Sequence, residues 1–463
     1  MRYKKTLIFA FIFIFIFVFG VYLISKDVDN SFAKSIKDKV PVKIKLFLKN
    51  TLFYIPYSKR ELKKLSKKIQ ELNEENRKLT LEKHKLENII NSGKLKLENY
   101  NSTKYNYHSI ILPFYSEDNI FANKKPAYIE IYKDFIIIMF GSGKVIFLDK
   151  KDFYNGTLNY SIINSSLNKK LLFNQEVKWT GVKDVLVIDN KLYISLTQEI
   201  KKDCYNTSLY NTDINLNYLK FEKVYRSDEC YYLNKEIKNF RYFNGYQTGG
   251  RIVNVDNDIY LTIGDYNNWE TVQNINSSSG KILSFNTISQ NLKFISMGHR
   301  NAQGLYYIED HNSLISTEHG PKGGDEINII NLNNANILNY GWPISSYGDH
   351  YDVVPLNTYT KKYAPLNKSH KNFGFVEPIK YFKQSVGISE IIKNYYKKNS
   401  FFVTSLKSQT IFEINLDDNL NFLEIKDEIE IGERIRDIIY DKDNNCYLLY
   451  GETTAKLISM CSN

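Results

Sequence analysis

Arg434 and Arg436 stand two apart in the stretch ERIRDII. On a β-strand that spacing sends both guanidinium groups to one face. A core strand has no use for such a pair, whereas an anionic ligand does, because arginine can hold a carboxylate through two parallel N–H bonds. MGHRNAQG contributes Arg300 and Asn301, and Lys407 closes the strand-like FFVTSLK. The stretch STEHGPKGGDEINII (316–330) gathers three of the chain's 22 glycines, Gly320, Gly323 and Gly324, within five positions. A proline, two acids and a histidine stand beside them, which suits a loop whose backbone must come close to a partner. Alone, the arginine pair also reads as a solvated edge strand, and the glycine run as a plain turn.

Positioning these groups is the task of a repeated β pattern that begins near residue 120. An apolar run, a turn of Asp or Asn, and a second run rich in Tyr, Ile and Leu recur in VLVIDNKLYISLT (185–197), IVNVDNDIYLTIGD (252–265), LYYIEDHNSLISTEHG (305–320) and IIYDKDNNCYLLYGE (438–452). DFIIIMFGSGKVIFLD (134–149) and FFVTSLKSQTIFEINLD (401–417) are looser versions. The turn residues tolerate the left-handed geometry that tight hairpins need. Six such units predict an all-β, six-bladed β-propeller over 119–463, with a β-sandwich as the alternative. In a propeller, functional side chains gather at one mouth of the central channel, where the three charged clusters would meet.

The N-terminal quarter is built differently. Arg2, Lys4 and Lys5 precede an apolar run from Leu7 to Ile24, long enough at about 1.5 Å per residue to span a bilayer as a helix. The run lacks an Ala-x-Ala-like cleavage site, so residues 1–26 read as an uncleaved anchor with a cytoplasmic N-terminus and everything later outside. After a juxtamembrane segment (27–58), Leu62, Leu65, Ile69, Leu72, Asn76, Leu79, Lys83, Leu86 and Ile90 keep an unbroken three-four spacing. This predicts a coiled coil over 59–93 and a homodimer through 62–90, with Asn76 at an a position to fix register. The alternative is a lone amphipathic helix. Residues 94–118 read as a linker. The formal charge of +11 sits largely in this region and accompanies no zinc-ligand or RNA-binding signature, so nucleic acid is not an expected partner. Cys204, Cys230, Cys446 and Cys461 form no CxxC pair; their spacing suits two local disulfides outside the membrane or four buried thiols.

GHRNAQGL, TEHGPKGGDEIN, NYGWPISSYG and RIRDI, in that order, resemble the glucose/sorbosone dehydrogenase family, six-bladed quinoproteins that use pyrroloquinoline quinone (PQQ) and calcium. The resemblance covers roughly residues 120–460. It implies that Arg434, Arg436 and Lys407 hold the tricarboxylate quinone and that Arg300 and Asn301 face its reactive carbonyls. It also implies that the Gly320 and Pro321 carbonyls ligate the calcium that polarises the quinone, calcium being a metal of oxygen ligands. Glu326 and the Tyr340 carbonyl match a second, structural calcium site.

One position departs from the family pattern. The family's base histidine stands four residues before the arginine of a His-x-Gly/Ser-Gly-Arg motif. Here the stretch is YQTGGRIVNVD, and Gln247 occupies that position, with Tyr246 before it. An amide does not accept a proton near neutral pH. The upstream Gln-Gly-Gly stretch of the family is also altered, to WTGVKDV. Two readings follow: a membrane-tethered sugar dehydrogenase with another base, or a propeller that binds quinone, glycan or protein without turnover on a dimeric stalk.

Overall fold

The computed structural model describes residues 64–72, 74–75, 104–112, 126–167, 180–227, 229–232, 245–352 and 354–463. Two compact units divide the chain, Met1–Ile89 and Ile90–Asn463. In the first, residues 64–72 and 74–75 are helical, and Leu65, Ile69 and Leu72 of the predicted seam are all exposed. The expected membrane span at 7–24 and the remainder of the seam lie outside the described residues.

The second unit opens with a strand where a linker is expected. β1 (Tyr105–Ile111) pairs antiparallel with a C-terminal strand and completes the last sheet, so the linker assignment over 94–118 is corrected for this segment. The first sheet follows, with β2 (Ala127–Tyr132), β3 (Phe135–Phe140), β4 (Val145–Asp149) and β5 (Tyr160–Ser165). The second holds β6 (Gly181–Ile188), β7 (Lys191–Lys201) and β8 (Cys204–Asp213). β9 (Tyr218–Leu219) returns to the first sheet, while β10 (Glu222–Arg226) and β11 (Tyr231–Tyr232) pair with β8. The third sheet is β12 (Gly249–Val255), β13 (Asp258–Ile263), β14 (Lys281–Asn286) and β15 (Leu292–Met297). The fourth starts with β16 (Ala302–Ile308), β17 (Ser313–Glu318) and β18 (Asp325–Asn331). β19 (Leu338–Asn339) joins the third sheet and β20 (Lys380–Phe382) the fourth. β21 (Ile388–Lys393), β22 (Ser400–Ser405), β23 (Thr410–Leu416) and β24 (Phe422–Glu430) form the fifth. β25 (Ile435–Asp441), β26 (Cys446–Gly451) and β27 (Lys456–Ser462), with β1, form the sixth.

The leading strands close a ring. β2 touches β6, β6 touches β12, β12 touches β16, β16 touches β21, β21 touches β25, and β25 touches β2. Six antiparallel sheets radiating from one ring are a six-bladed propeller. The core is divided accordingly, with one apolar cluster in each gap between neighbouring blades. β1 joins blade six across the full length of the domain, so the chain termini of the propeller lock each other in register. Cys204 bonds Cys230 and Cys446 bonds Cys461, the first of the two alternatives left open by the sequence; the second bond ties β26 to β27 directly across from each other.

Candidate active site

Five of the six inner strands carry a register shift near their first residues. In β6 it falls between Val182 and Asp184, in β12 between Gly249 and Ile252, and in β16 between Ala302 and Gly304. In β21 it falls between Ile388 and Ile391, and in β25 between Ile435 and Asp437. A bulge leaves one residue unpaired and turns its side chain out of the ladder. Repeated at one height around the ring, it produces two layers across the channel. The upper layer holds Lys183, Gly250, Gln303, Ser389 and Arg436. The lower layer holds Asp184, Arg251, Gly304, Glu390 and Asp437.

The lower layer closes the channel. Arg251 Nη1 lies 2.9 Å from Asp184 Oδ1 and 2.8 Å from Asp437 Oδ1, and its Nε lies 2.5 Å from Glu390 Oε2. Its Nε also donates to the Gln303 carbonyl at 2.9 Å. The carboxylates bind backbone in turn: Asp184 accepts from Ile252 N, Asp437 from Ile129 N and Glu390 from Leu305 N. One arginine of blade three thus meets groups from blades two, four, five and six at the axis. Burial pushes the Asp184 carboxyl up to about 7, against the pull of Arg251, and pushes Glu390 well above its usual range.

Above this plug the site is cationic. Arg436 Nη1 donates to Gln303 Oε1 at 2.7 Å, across the ring. Arg434 Nε and Arg436 Nε each donate to Glu452 at 2.8 Å, so two guanidinium groups share one carboxylate. Burial works against ionisation of Glu452, yet Arg436 and Arg434 hold its carboxyl below the usual range. Arg300 reaches in from the turn before β16, its Nη1 donating to the carbonyls of His319 (2.9 Å) and Gly320 (2.7 Å) and its guanidinium lying 5.2 Å from the Trp342 ring. The Arg300 Nε is buried and meets no hydrogen-bond partner among the described residues. His319 reports on the convergence: burial lowers its imidazole to about 4, Asp325 opposes this, and Arg300, Arg436 and Arg434 all lower it further. The arginines of two separate sequence clusters therefore act on one place, as expected from the sequence.

The remaining expected residues divide. Asn301 is buried and accepts from Gly249 N at 3.0 Å, which fixes the YQTGGR turn to the fourth blade. Lys407 sits exposed on the turn after β22, beside the mouth, where Arg434 Nη1 donates to the neighbouring Leu406 carbonyl. Gln247 stands in the left-handed region at φ 61°, its carbonyl accepting from Tyr266 N and its Oε1 buried without a hydrogen bond among the described residues. The glycine run is a close backbone approach: a Cβ on Gly320 would lie 2.0 Å from the Gly324 carbonyl oxygen. Asp325 accepts from Gly320 N and, on its other oxygen, from Val386 N and Gly387 N, holding the loop against blade five.

The oxygens expected to bind calcium are engaged by the chain's own groups. The Gly320 carbonyl takes the Arg300 guanidinium, and the Pro321 carbonyl accepts from Ser385 Oγ at 3.3 Å. His370 bridges the other pair, with Nδ1 2.8 Å from the Tyr340 carbonyl and Nε2 3.4 Å from Glu326 Oε1. Among the described residues no three His, Cys, Asp or Glu side chains gather as a metal cluster. In this arrangement the four positions are bonded within the chain, and no step below is routed through a metal. The quinone is different, because converging guanidinium groups with an unpartnered buried N–H suit a polycarboxylate.

Residues 180–459 match the sequence profile of the glucose/sorbosone dehydrogenase family. The chain belongs to that family. The aldose sugar dehydrogenase YliI of Escherichia coli is 27% identical over 237 residues, which are 47% of this chain and 60% of that protein. An uncharacterised protein of Synechocystis is 27% identical over 170 residues, 36% of this chain and 38% of the relative. The chain thus spans less than two thirds of the length of either. The solved apo-form of the E. coli soluble aldose sugar dehydrogenase superposes with a TM-score of 0.59 at 19% identity, covering 77% of this chain and all of that one (100%). The PQQ-bound aldose sugar dehydrogenase of Streptomyces coelicolor gives 0.50 at 16%, covering 77% and 98%. At these identities the likeness is one of fold, and it bears out the predicted six-bladed propeller.

Sequence reading met the lower layer only as the motif arginine, Arg251, and missed its carboxylates Asp184, Glu390 and Asp437, along with Lys183, Gln303 and Glu452 of the mouth. A signal was present. Each of KDV, RIV, EII and RDI places charge at the head of an apolar inner strand, at the same point of successive repeats.

Proposed function

We propose that this propeller binds PQQ over its cationic mouth and oxidises an aldose at the anomeric carbon. The observation that carries the reading is the convergence of Arg300, Arg434 and Arg436 on one place, with the Arg300 Nε buried and unpartnered among the described residues. Arg434 and Arg436 would hold quinone carboxylates from one side and Lys407 from the rim, each as a charge-assisted hydrogen bond. Arg300 and Asn301 would face the quinone carbonyls, Arg300 offering its free N–H to charge that develops there. When bound, the quinone supplies a two-electron acceptor for hydride from the sugar. The Arg251 plug keeps the channel floor closed beneath it, so the site opens to solvent on one side. Calcium at Gly320 and Pro321 would require Arg300 to release the Gly320 carbonyl.

The reading extends to the rest of the chain as expected from its sequence. The segment 7–24 anchors the protein in a membrane with the propeller on the outer, periplasmic side, and the seam 62–90 makes it a homodimer. Sedimentation of the purified protein tests the second point: a Leu65→Asp, Leu72→Asp variant should fall from dimer to monomer, and an unchanged sedimentation coefficient would reject the coiled coil.

Titration of the protein with PQQ, with and without calcium, followed by a panel of aldoses tests the central claim through the quinone absorption spectrum. Saturable binding and bleaching by one sugar are the expected results. A second reading, a quinone- or glycan-binding propeller without turnover, is favoured by Gln247 and would show as binding without bleaching. No uptake of quinone would reject the first reading.

A further inference from the structure

The position expected to hold the base carries an amide, yet an amine stands on the next blade. Lys183 is the bulged residue of β6, on the same layer as Gln303 and Arg436. Its stem runs over the α-carbon of Gly250: a Cβ on that glycine would lie 2.3 Å from Lys183 Cβ and 2.8 Å from Cγ. Gly250, at φ 107°, therefore makes the space the lysine occupies. The Nζ lies 3.5 Å from the Gly245 carbonyl, in the loop that carries Gln247 two residues later. The side chain is half-buried, so it lines the mouth without being sealed from it.

We propose that Lys183 is the proton acceptor of this dehydrogenase, taking over from β6 the role that Gln247 cannot perform on the β12 turn. The inference rests on the quinone reading above. In the step, the anomeric O–H proton passes to the Lys183 amine while the C1–H bond breaks and its electron pair leaves as hydride to the ortho-quinone. A C1=O bond forms, the aldose becomes a lactone, and the quinone is reduced by two electrons. The ammonium then returns its proton to water.

The surroundings suit an amine that is partly neutral. Burial first, then Arg436 on β25, bring the Lys183 ammonium down to about 7. From β12 the facing residue is Gly250, and Arg251 beyond it is committed to the axial carboxylates. From β7 it is Ser195, whose hydroxyl is bonded to the Gly250 carbonyl. Asp184, next on the same strand, is turned to Arg251. The other titratable group of the mouth, His319, is lowered to about 4 and faces Asp325 at 3.9 Å, which makes it the weaker base.

The test compares wild type, Lys183→Met, Gln247→His and the double variant at saturating PQQ, with D-glucose and other aldoses as reductants. Lys183→Met should still take up quinone while its reduction by sugar falls about 10²- to 10⁴-fold. Adding Gln247→His should restore part of that loss by returning a base to the other blade. Independently of turnover, trinitrobenzenesulfonate labelling of Lys183, read by peptide mass spectrometry, should follow a midpoint near pH 7 and be blocked by PQQ. Reduction by Lys183→Met at the wild-type rate, or labelling that begins only near pH 10, overturns the proposal and leaves the quinone reading standing. Quinone that binds to wild type but is reduced by no aldose also overturns it. Failure of wild type to take up quinone overturns both.

Discussion

Arg251→Met removes the cation of the axial cluster and leaves three carboxylates in place. Asp184 and Asp437 lie 2.9 and 2.8 Å from the lost Nη1, and Glu390 lies 2.5 Å from the lost Nε, all of them buried. Breaking a buried ion pair from one side costs about 3–5 kcal/mol, against a total stability on the order of 5–15 kcal/mol for a domain. The carboxylates have an escape, since they can take up protons. Burial has already brought Asp184 to about 7, and without Arg251 it moves higher. Holding a carboxyl of that pKa neutral at pH 8 costs about 1.4 kcal/mol, and at pH 5 almost nothing. Urea denaturation followed by tryptophan fluorescence should show a loss of about 3–5 kcal/mol at pH 8, smaller by about 1.4 kcal/mol at pH 5. Arg251→Lys should fall between the two proteins, because a single ammonium cannot reach four partners arranged around a planar fork. A loss below about 1 kcal/mol, or one that is equal at both pH values, would refute the claim that this cluster is charged and holds the ring together.

Gln247→His should raise sugar-dependent bleaching of bound PQQ if the scaffold is otherwise intact; a variant that binds quinone and reduces none of it speaks for the binding-only reading. Arg436→Met should weaken quinone binding about 10- to 100-fold, the worth of a charged hydrogen bond of about 1.5–3 kcal/mol, measured by fluorescence quenching; an unchanged affinity removes Arg436 from the cofactor site. Thermal stability should fall as pH rises from 5 to 7. Glu130 and Asp184 are raised by burial to about 8 and about 7, and Glu390 is raised too, so their contribution is full below the unfolded carboxylate range and is lost toward those values. His319, lowered to about 4 by burial, and His108, also lowered by burial, contribute in the opposite sense below 6.5, two groups against three. A melting temperature that climbs across that window would contradict the assignment.

The blade count was legible because each blade has at least one tight hairpin whose turn residue betrays itself. Asp189, Asp256, Asn312 and Asn445 all take positive φ, as does Gly143, and Gln409 shows that the looser fifth unit uses the same geometry. Turn chemistry is local, so a sequence carries it openly. The closure of the ring is not local. Tyr105–Ile111 pairs with Lys456–Ser462 at the far end of the chain, and nothing in YNYHSII says which edge it will meet. At the mouth, the spacing of Arg434 and Arg436 put both on one face of a strand, and only the other clusters told that face from a solvated edge. Arg300 was legible as a charge in a glycine-flanked turn, and its convergence with the pair required only the propeller. Glu452 was hidden because it sits at the end of an ordinary apolar strand and matters only through the two guanidinium groups it meets.

The two layers of the channel explain how one part of such a site can change while another stays. In the lower layer Arg251 meets three buried carboxyls, each of them also bonded to the backbone of a neighbouring blade, so a single substitution strands a buried partner. The upper layer is a ring of bulged positions on different strands, of which Lys183, Gln303 and Arg436 carry long polar side chains. A group that must grip a carboxylate needs a particular place on that ring, because the ligand's own charges fix the distances. A group that must accept one proton needs only to reach one oxygen, and several positions on the ring satisfy that. Lys183, standing over Gly250 beside the loop of Gln247, occupies one of them. On this reasoning the cations are held in place by the geometry of the cofactor, whereas the base is free to move from blade to blade. The double variant of Lys183 and Gln247 measures that freedom directly: restored reduction means that proton transfer can be relocated on an unchanged scaffold.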